Sequence, residues 1–330
     1  MSTEDAPIRL SRRENARAEL PPVGTLTAWL RAVGVFRGFF VVSLIPLTTG
    51  AFVAHQKTGL WNLSFLAIAQ AAVWLMHAST HLLNDYYDHV SGVDDVNEVQ
   101  TPISGGSRVI QDGLLSAGAV ASMGWLLWLA GAGVLGYLVY AMEMDPLVTG
   151  LAVFGALAGV VYSAKPIWLS YRGLGEVLVG VTFGPVLTVL GAYVTSGEVP
   201  FSAVVLGGAM GFWTMAILTI NEVPDYDADL ECEKRNLVVR LGPEFGMLLW
   251  AGLLWAAVGT IFAGVVLEML PGKLVLTTPI VFAVLWLTRG AMEKSEDLDE
   301  VVRLSRLTMF GQVVFWALII LSLHYTSQGV

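Results

Sequence analysis

The sequence predicts an all-α polytopic membrane protein, with nine transmembrane helices around a central cavity and a cytoplasmic cap of loops and short helices. Three observations carry that expectation. Of 330 residues, 55% are apolar or aromatic and only 14% are charged, where soluble domains carry about 25% charged residues. Mean hydropathy is +0.67, so a bilayer is the expected solvent for most of the chain. Finally, nine spans with an internal N-terminus put every Lys and Arg on one side except Lys57 and Lys273, which is the bias that orients membrane proteins. Removing one span would invert every later loop and destroy that asymmetry.

The elements follow in chain order. Residues 1–30 read as a polar cytoplasmic arm: Arg9, Arg12, Arg13 and Arg17 are interspersed with Glu4, Asp5, Glu14 and Glu19, and no apolar run precedes a cleavage site. Residues 31–330 form one helical domain. Its spans lie near 33–54, 62–83, 117–142, 146–162, 177–195, 202–220, 245–267, 274–288 and 308–324, each approaching the ~20 residues needed to cross hydrocarbon. The eighth is short, and Arg289 beside it can extend to the interface. Pro46, Pro185 and Pro279 fall within spans as possible kinks. Gly180, Gly184, Gly207, Gly208 and Gly211 would let spans five and six approach closely.

Charge and cysteine content exclude several roles. With 18 basic against 27 acidic residues the net charge is -9, which disfavours nucleic acid as a partner. The single cysteine, Cys232, excludes an internal disulfide framework or a cysteine-built zinc site.

Two acidic clusters carry the chemistry. Asp85, Asp88, Asp94, Asp95 and Glu98 follow span two; Glu222, Asp225, Asp227, Asp229, Glu231 and Glu233 follow span six. The first opens NDYYD from Asn84 to Asp88 and the second NEVPD from Asn221 to Asp225, so each sets Asn four residues before Asp on one helix face. Four spans separate them, which returns the chain to the same side. A parallel internal repeat is therefore expected, with motifs at 84–95 and 221–229 facing one another.

Clustered carboxylates at the mouth of an apolar bundle need cations, and Mg²⁺ takes oxygen ligands and bridges carboxylates to phosphate. A diphosphate also calls for positive charge, and the same side offers Arg37, Arg108, Lys165, Arg172, Lys234, Arg235 and Arg240. The SGGSR turn, Ser104 to Arg108, offers backbone N–H donors as well. Taken together, these residues describe a membrane-embedded site for Mg²⁺ and a diphosphate.

NDYYDHVSGVDD and DYDAD, on spans two and six, resemble the two aspartate-rich motifs of the UbiA superfamily of intramembrane prenyltransferases, and the likeness extends over about residues 30–324. FRGFF with Arg37, VYSAKP with Tyr162 and Lys165, YRGLGE from Tyr171 to Glu176, and EKRNLVVRLG from Glu233 to Gly242 agree with it. The Asp88-to-Asp94 spacing through Gly92, with YRGLGE and the VVRLG tail, is most similar to the 1,4-dihydroxy-2-naphthoate prenyltransferases of menaquinone biosynthesis. The resemblance implies transfer of a prenyl group from a prenyl diphosphate to an aromatic acceptor, through ionisation to an allylic carbocation. It implies Mg²⁺ on Asp85, Asp88, Asp94, Asp225 and Asp229, with Asp88, Asp225, Tyr162 and Lys165 catalytic. Asn84, Arg37, Arg108, Arg172, Asn221, Lys234 and Arg235 would bind substrate. Tyr86, Tyr87, Tyr162, Phe183, Phe212 and Trp213 are the candidate aromatic faces for the cation.

Other readings stay open at this stage. Another quinone ring, a tetrapyrrole or a glycerol-phosphate lipid would be alternative acceptors. A secondary transporter also has repeats and intramembrane carboxylates, though it places polar residues at mid-span rather than at helix ends. A lipid-binding scaffold would show no Mg²⁺-dependent turnover. His77 and His81, one turn apart in span two, have metal-ligand spacing, but no third intramembrane ligand accompanies them, so cross-helix hydrogen bonding or cavity lining is expected. The cavity itself is expected to be capped by residues 84–116 and 221–244 and to open sideways to lipid.

Overall fold

Asn62, Ser116 and Asp145 each turn a side-chain oxygen onto a backbone N–H three residues ahead, at 3.0, 3.2 and 3.1 Å, and so start three of the long helices. The computed structural model describes residues 21–97, 99, 101, 106–277 and 279–327, and all regular secondary structure among them is helical. In order these are α1 (Leu26–Ala32), α2 (Phe39–Thr58), α3 (Leu63–Ser91), α4 (Val93–Val96), α5 (Ala117–Ala141) and α6 (Pro146–Ser163). There follow α7 (Gly175–Val181), α8 (Leu187–Ser196), α9 (Phe201–Glu222), α10 (Tyr226–Glu231) and α11 (Leu237–Leu241). The last three are α12 (Pro243–Val266), α13 (Pro279–Thr288) and α14 (Leu298–Ser327).

Seven stretches among the described residues, rather than the nine expected, have the length and hydropathy of a membrane-crossing helix: α3, α5, α6, α7 with α8, α9, α12 and α14. The first expected span appears as α2, 20 residues long, whose last turn holds the polar run His55, Gln56 and Lys57. The eighth contracts to α13, whose 10 residues extend about 15 Å, half a bilayer core. Residues 1–20 of the expected N-terminal arm lie outside the described residues; its end enters α1, which Arg31 ties to the loop before α5 by pairing with Asp112 at 2.7 Å.

The fifth expected span is broken. Pro185 has no N–H to give, and Gly184 stands at φ -109° and ψ -106°, so Thr182–Val186 forms a widened π turn between α7 and α8. The close approaches come from glycine. A Cβ on Gly191 would lie 1.9 Å from the Leu47 carbonyl oxygen, and one on Gly50 would lie 1.9 Å from that of Thr188, so α2 and α8 cross backbone to backbone. Gly180, Gly184, Gly207 and Gly211 do the same between the α7–α8 segment and α9, whereas a Cβ on Gly208 would meet nothing nearer than Thr260 at 4.0 Å.

The largest core lies on the other side of α9, against α12 and α14, around the fully buried Trp213, Trp250 and Phe315. Both indoles are satisfied by one threonine: Trp213 Nε1 donates to the Thr308 carbonyl at 2.9 Å and Trp250 Nε1 to its hydroxyl at 3.2 Å. Core packing on that face fixes α9, and α9 carries the second acidic motif at its end.

Candidate functional site

A cavity of about 290 Å³ lies among α3, α6, α7, α8 and α9. Its walls are apolar along most of their length, with Met76, Leu151, Phe183 and Leu190 among them, and its mouth is ionic, with Asp88, Asp94, Asp225, Asp229 and Lys234. Helix α3 continues two turns beyond the expected apolar end at residue 83, which is why Asn84, Asp85 and Asp88 stay helical and stand at that mouth. Gly92, at φ 87°, then ends α3 and turns the chain into α4, returning Asp94 to the same space.

The two motifs meet. Asn84 Nδ2 donates to Asp88 Oδ2 at 2.8 Å, the i to i+4 pairing expected from spacing. Lys234 Nζ lies 3.0 Å from that same oxygen and 3.6 Å from Asp229 Oδ1, so one ammonium bridges the first motif to the second. Asn97 Nδ2 reaches Asp225 Oδ1 at 2.8 Å, a second link across the motifs. Asn236 caps α11 through its Oδ1 and donates from Nδ2 to Asp229 Oδ2 at 2.7 Å. Asn221 lines the cavity and accepts from the Ser305 hydroxyl at 2.5 Å.

Electrostatics at the mouth are strained by carboxylate excess. Burial, and then the charges of Asp88 and Asp85, hold the Asp94 carboxyl well above its ordinary range. Asp94 is 3% exposed and its Oδ2 has no hydrogen-bond partner. Burial also pushes Asp229 up to about 7, against the pull of Lys234. For Lys234 burial opposes the charge, but Asp229 and Asp88 outweigh it and hold the ammonium well above its ordinary range.

The remaining sequence candidates divide. Tyr162 lines the cavity. Asp85 also lines it, but both its oxygens accept from Ser107, one from the backbone N–H at 3.2 Å and the other from the hydroxyl. Arg108 donates from Nη1 to the carbonyls of Asp94 and Asn97, each at 3.0 Å, holding α4 in place, while its buried Nε has no hydrogen-bond partner. Lys165 stands 4.5 Å above the Trp168 ring, Arg172 donates to the Pro166 carbonyl at 2.9 Å, and Arg235 is exposed; none of the three lines the cavity. The side chain of Arg37 lies outside the described residues, as do Ser104, Gly105 and Glu98. Of the candidate aromatic faces, Phe183 joins Tyr162 in the cavity wall, while Trp213 is sealed in the core and Phe212 is 37% exposed on the outer surface of α9.

Tyr171 was not singled out by the sequence, yet its hydroxyl donates to Asp88 Oδ1 at 2.8 Å and lies 2.6 Å from Ser91 Oγ. Its ring stacks on Trp168 with centroids 3.6 Å apart. Glu176, the last residue of YRGLGE, is fully buried and accepts from the Leu237 N–H at 2.5 Å, tethering α11 to α7. Neither contact has a signal in local spacing, since the partners lie 83 and 61 residues apart.

Residues 43–321 match the sequence profile of the UbiA prenyltransferase family. The chain belongs to that family. Among curated relatives, UbiA prenyltransferase domain-containing protein 1 of Danio rerio is 28% identical over 218 residues, 66% of this chain and 62% of that protein. The Homo sapiens protein of the same name is 26% identical over 216 residues, with the same coverage of 66% and 62%. The chloroplastic 2-carboxy-1,4-naphthoquinone phytyltransferase of Arabidopsis thaliana is 33% identical over 216 residues, 63% of this chain and 53% of that one. The matched region therefore spans less than two thirds of these relatives. A UbiA homologue from Archaeoglobus fulgidus, solved with GPP and Mg²⁺, shares the fold with a TM-score of 0.61 at 16% identity, over 88% of this chain and 99% of that one. A digeranylgeranylglyceryl phosphate synthase structure gives 0.59 at 14% identity, over 90% and 98%.

For a UbiA-family cavity the question is whether the mouth suits a divalent cation. Its donors are carboxylate and amide oxygens, buried in surplus over the one ammonium among them, and one oxygen of Asp94 is without a partner. That is the chemistry of a hard-cation site. Among the described residues no three acidic, histidine or cysteine side chains already surround one point at ligand distance. Lys234 stands between Asp88 and Asp229 instead.

Proposed function

We propose that this protein transfers a prenyl group from a prenyl diphosphate to an aromatic acceptor, with 1,4-dihydroxy-2-naphthoate of menaquinone biosynthesis as the preferred acceptor. The observation that carries this reading is the meeting of both aspartate motifs at one end of an apolar cavity, bridged by Lys234 and by the Asn97–Asp225 hydrogen bond. A diphosphate head fits an ionic mouth, and an isoprenoid tail fits an apolar interior. Asp88, Asp94, Asp225 and Asp229, with Asp85, would hold Mg²⁺, whose contribution when bound is to neutralise the leaving diphosphate.

The chain's own residues supply the rest. Lys234 offers a charge to phosphate oxygens at the point where it now spans Asp88 and Asp229, and Asn84 and Asn221 offer amides beside it. Tyr162 and Phe183 present π faces to the allylic cation that remains once the C–O bond breaks. The apolar wall excludes water, so the cation meets the acceptor ring before it meets a hydroxyl. Transfer then ends with a new carbon–carbon bond, released diphosphate and one proton. The distribution of Lys and Arg supports a cytoplasmic orientation for this mouth, and the repeated Asn-to-Asp spacing supports reading the two motifs as halves of a parallel repeat.

Mass spectrometry of products tests the reading directly. Purified protein incubated with Mg²⁺, a prenyl diphosphate and a panel of acceptors should yield a prenylated dihydroxynaphthoate-derived ring and diphosphate. Prenylation of only a glycerol-phosphate lipid or a tetrapyrrole would reassign the acceptor. No Mg²⁺-dependent prenylation of anything in the panel would reject the function.

A further inference from the structure

The cavity contains a second polar site that the diphosphate chemistry does not use. His77 lies two turns of α3 below Asn84, about 10 Å along the helix axis, in the apolar part of the wall. Its ring is fixed on three sides: His81 stacks on it at 4.8 Å, Phe183 packs at 4.9 Å and Phe40 at 5.5 Å. Phe183 reaches it because the π turn at Thr182–Val186 swings that residue out of regular helical register.

Hydrogen bonding at Ser43 bears on the tautomer. Ser43, fully buried on α2, donates its hydroxyl hydrogen to the Phe40 carbonyl at 3.0 Å, which leaves its oxygen as an acceptor. His77 Nδ1 lies 3.2 Å from that oxygen; with the Ser43 hydroxyl so directed, Nδ1 carries the hydrogen and Nε2 keeps a bare lone pair. Among the described residues the ring's hydrogen bond is made through Nδ1, and His77 lines the cavity. An oriented acceptor lone pair in an apolar chamber selects a hydroxyl donor. A prenyl tail has none.

We infer that His77 is the acceptor-binding residue: its Nε2 accepts a hydrogen bond from a ring hydroxyl of the aromatic acceptor, turning the ring edge toward the prenyl carbon at the cavity mouth. This rests on the prenyl-transfer reading and adds to it the residue that orients the acceptor hydroxyl. The 10 Å between imidazole and aspartate mouth is about the depth of one fused ring system plus the first prenyl carbon.

The experiment compares a hydroxylated naphthalene acceptor with its O-methyl ether in the full-length wild type, His77→Phe and His77→Gln. The wild type should prefer the free hydroxyl. His77→Phe should raise the KM for the hydroxylated acceptor about tenfold or more, since a site built for an O–H loses its partner, while the prenyl diphosphate KM moves less than about twofold. It should also abolish the preference over the ether. His77→Gln, whose amide oxygen can still accept, should recover part of the affinity and the preference. Unchanged acceptor KM and preference in His77→Phe would overturn the assignment, as would equal rises for both substrates. If the wild type prenylates no aromatic ring, the functional reading fails on its own. In that event quenching of 1-naphthol fluorescence on binding decides the assignment: weaker binding to His77→Phe than to the wild type supports it, and equal binding overturns it.

Discussion

Replacing Tyr171 by Phe removes one oxygen from the site and leaves the ring stack on Trp168 in place. The phenol is 7% exposed and Asp88 is 4% exposed, so the hydrogen bond between them is made out of water. Burial and the Asp88 charge hold the Tyr171 phenol above its ordinary range, so it is a donor at neutral pH. Asp88 Oδ2 keeps Asn84 at 2.8 Å and Lys234 at 3.0 Å in the variant, but Oδ1 loses the donor at 2.8 Å. A hydrogen bond to a charged group contributes about 1.5–3 kcal/mol, or roughly 10- to 150-fold in an equilibrium. Water can enter the cavity mouth and replace part of it, so the lower end applies: about a tenfold fall in kcat/KM for the prenyl diphosphate and a matching rise in the Mg²⁺ concentration for half-maximal rate. Steady-state kinetics across a Mg²⁺ series, with thermal unfolding as a check on the fold, measures both. Values within about twofold of wild type would refute the idea that Tyr171 positions Asp88.

Asp88→Ala and Asp225→Ala should each abolish most turnover while the unfolding midpoint is retained. Asp297→Ala should leave turnover unchanged and cost about 1 kcal/mol, because Asp297 Oδ1 caps α14 by accepting from the Glu300 N–H at 3.1 Å. Excess EDTA should silence the enzyme and Mg²⁺ should restore it; full activity in EDTA would exclude a hard-cation site. Gly207→Ala should lower thermal stability, by about 1–3 kcal/mol, because its Cβ would lie 2.7 Å from Pro185 Cα. Its neighbour Gly208→Ala should be neutral or slightly stabilising, and equal effects at both positions would contradict the packing described for α9.

Much of this fold was legible because bilayer physics leaves a strong pattern. A segment must satisfy its own backbone in hydrocarbon, so apolar length alone located α3, α5, α6, α9 and α12 to within a few residues, except at the end of α3. What hydropathy missed was polar helix. Asn84 to Ser91 is as helical as the apolar turns before it, because i to i+4 hydrogen bonding does not depend on the solvent. The break at Thr182–Val186 was signalled only by Pro185, and the eighth span, short already in the sequence, is shorter still as the 10-residue α13.

The site was legible where its parts were local. The Asn84–Asp88 pair follows from a four-residue spacing, and two copies of it implied two facing motifs. Contacts made across the fold were invisible. Arg108 was singled out by charge alone, and the two carbonyls that its Nη1 holds are brought together by the turn after Gly92. Lys165 seemed equally available and stands over Trp168. Lys234, one basic residue among many in the sequence, becomes the bridge between motifs because α10 ends in a turn that closes the Lys234 N–H onto the Asp229 carbonyl at 2.8 Å.

The claim that both motifs build one site is tested most directly by binding of a non-reactive prenyl thiodiphosphate. Calorimetry on the wild type, Asp88→Asn and Asp225→Asn, each with and without Mg²⁺, separates ligand binding from chemistry. One shared site predicts Mg²⁺-dependent binding to the wild type that is lost in both variants. Binding that survives in Asp225→Asn, or that needs no Mg²⁺, would contradict it.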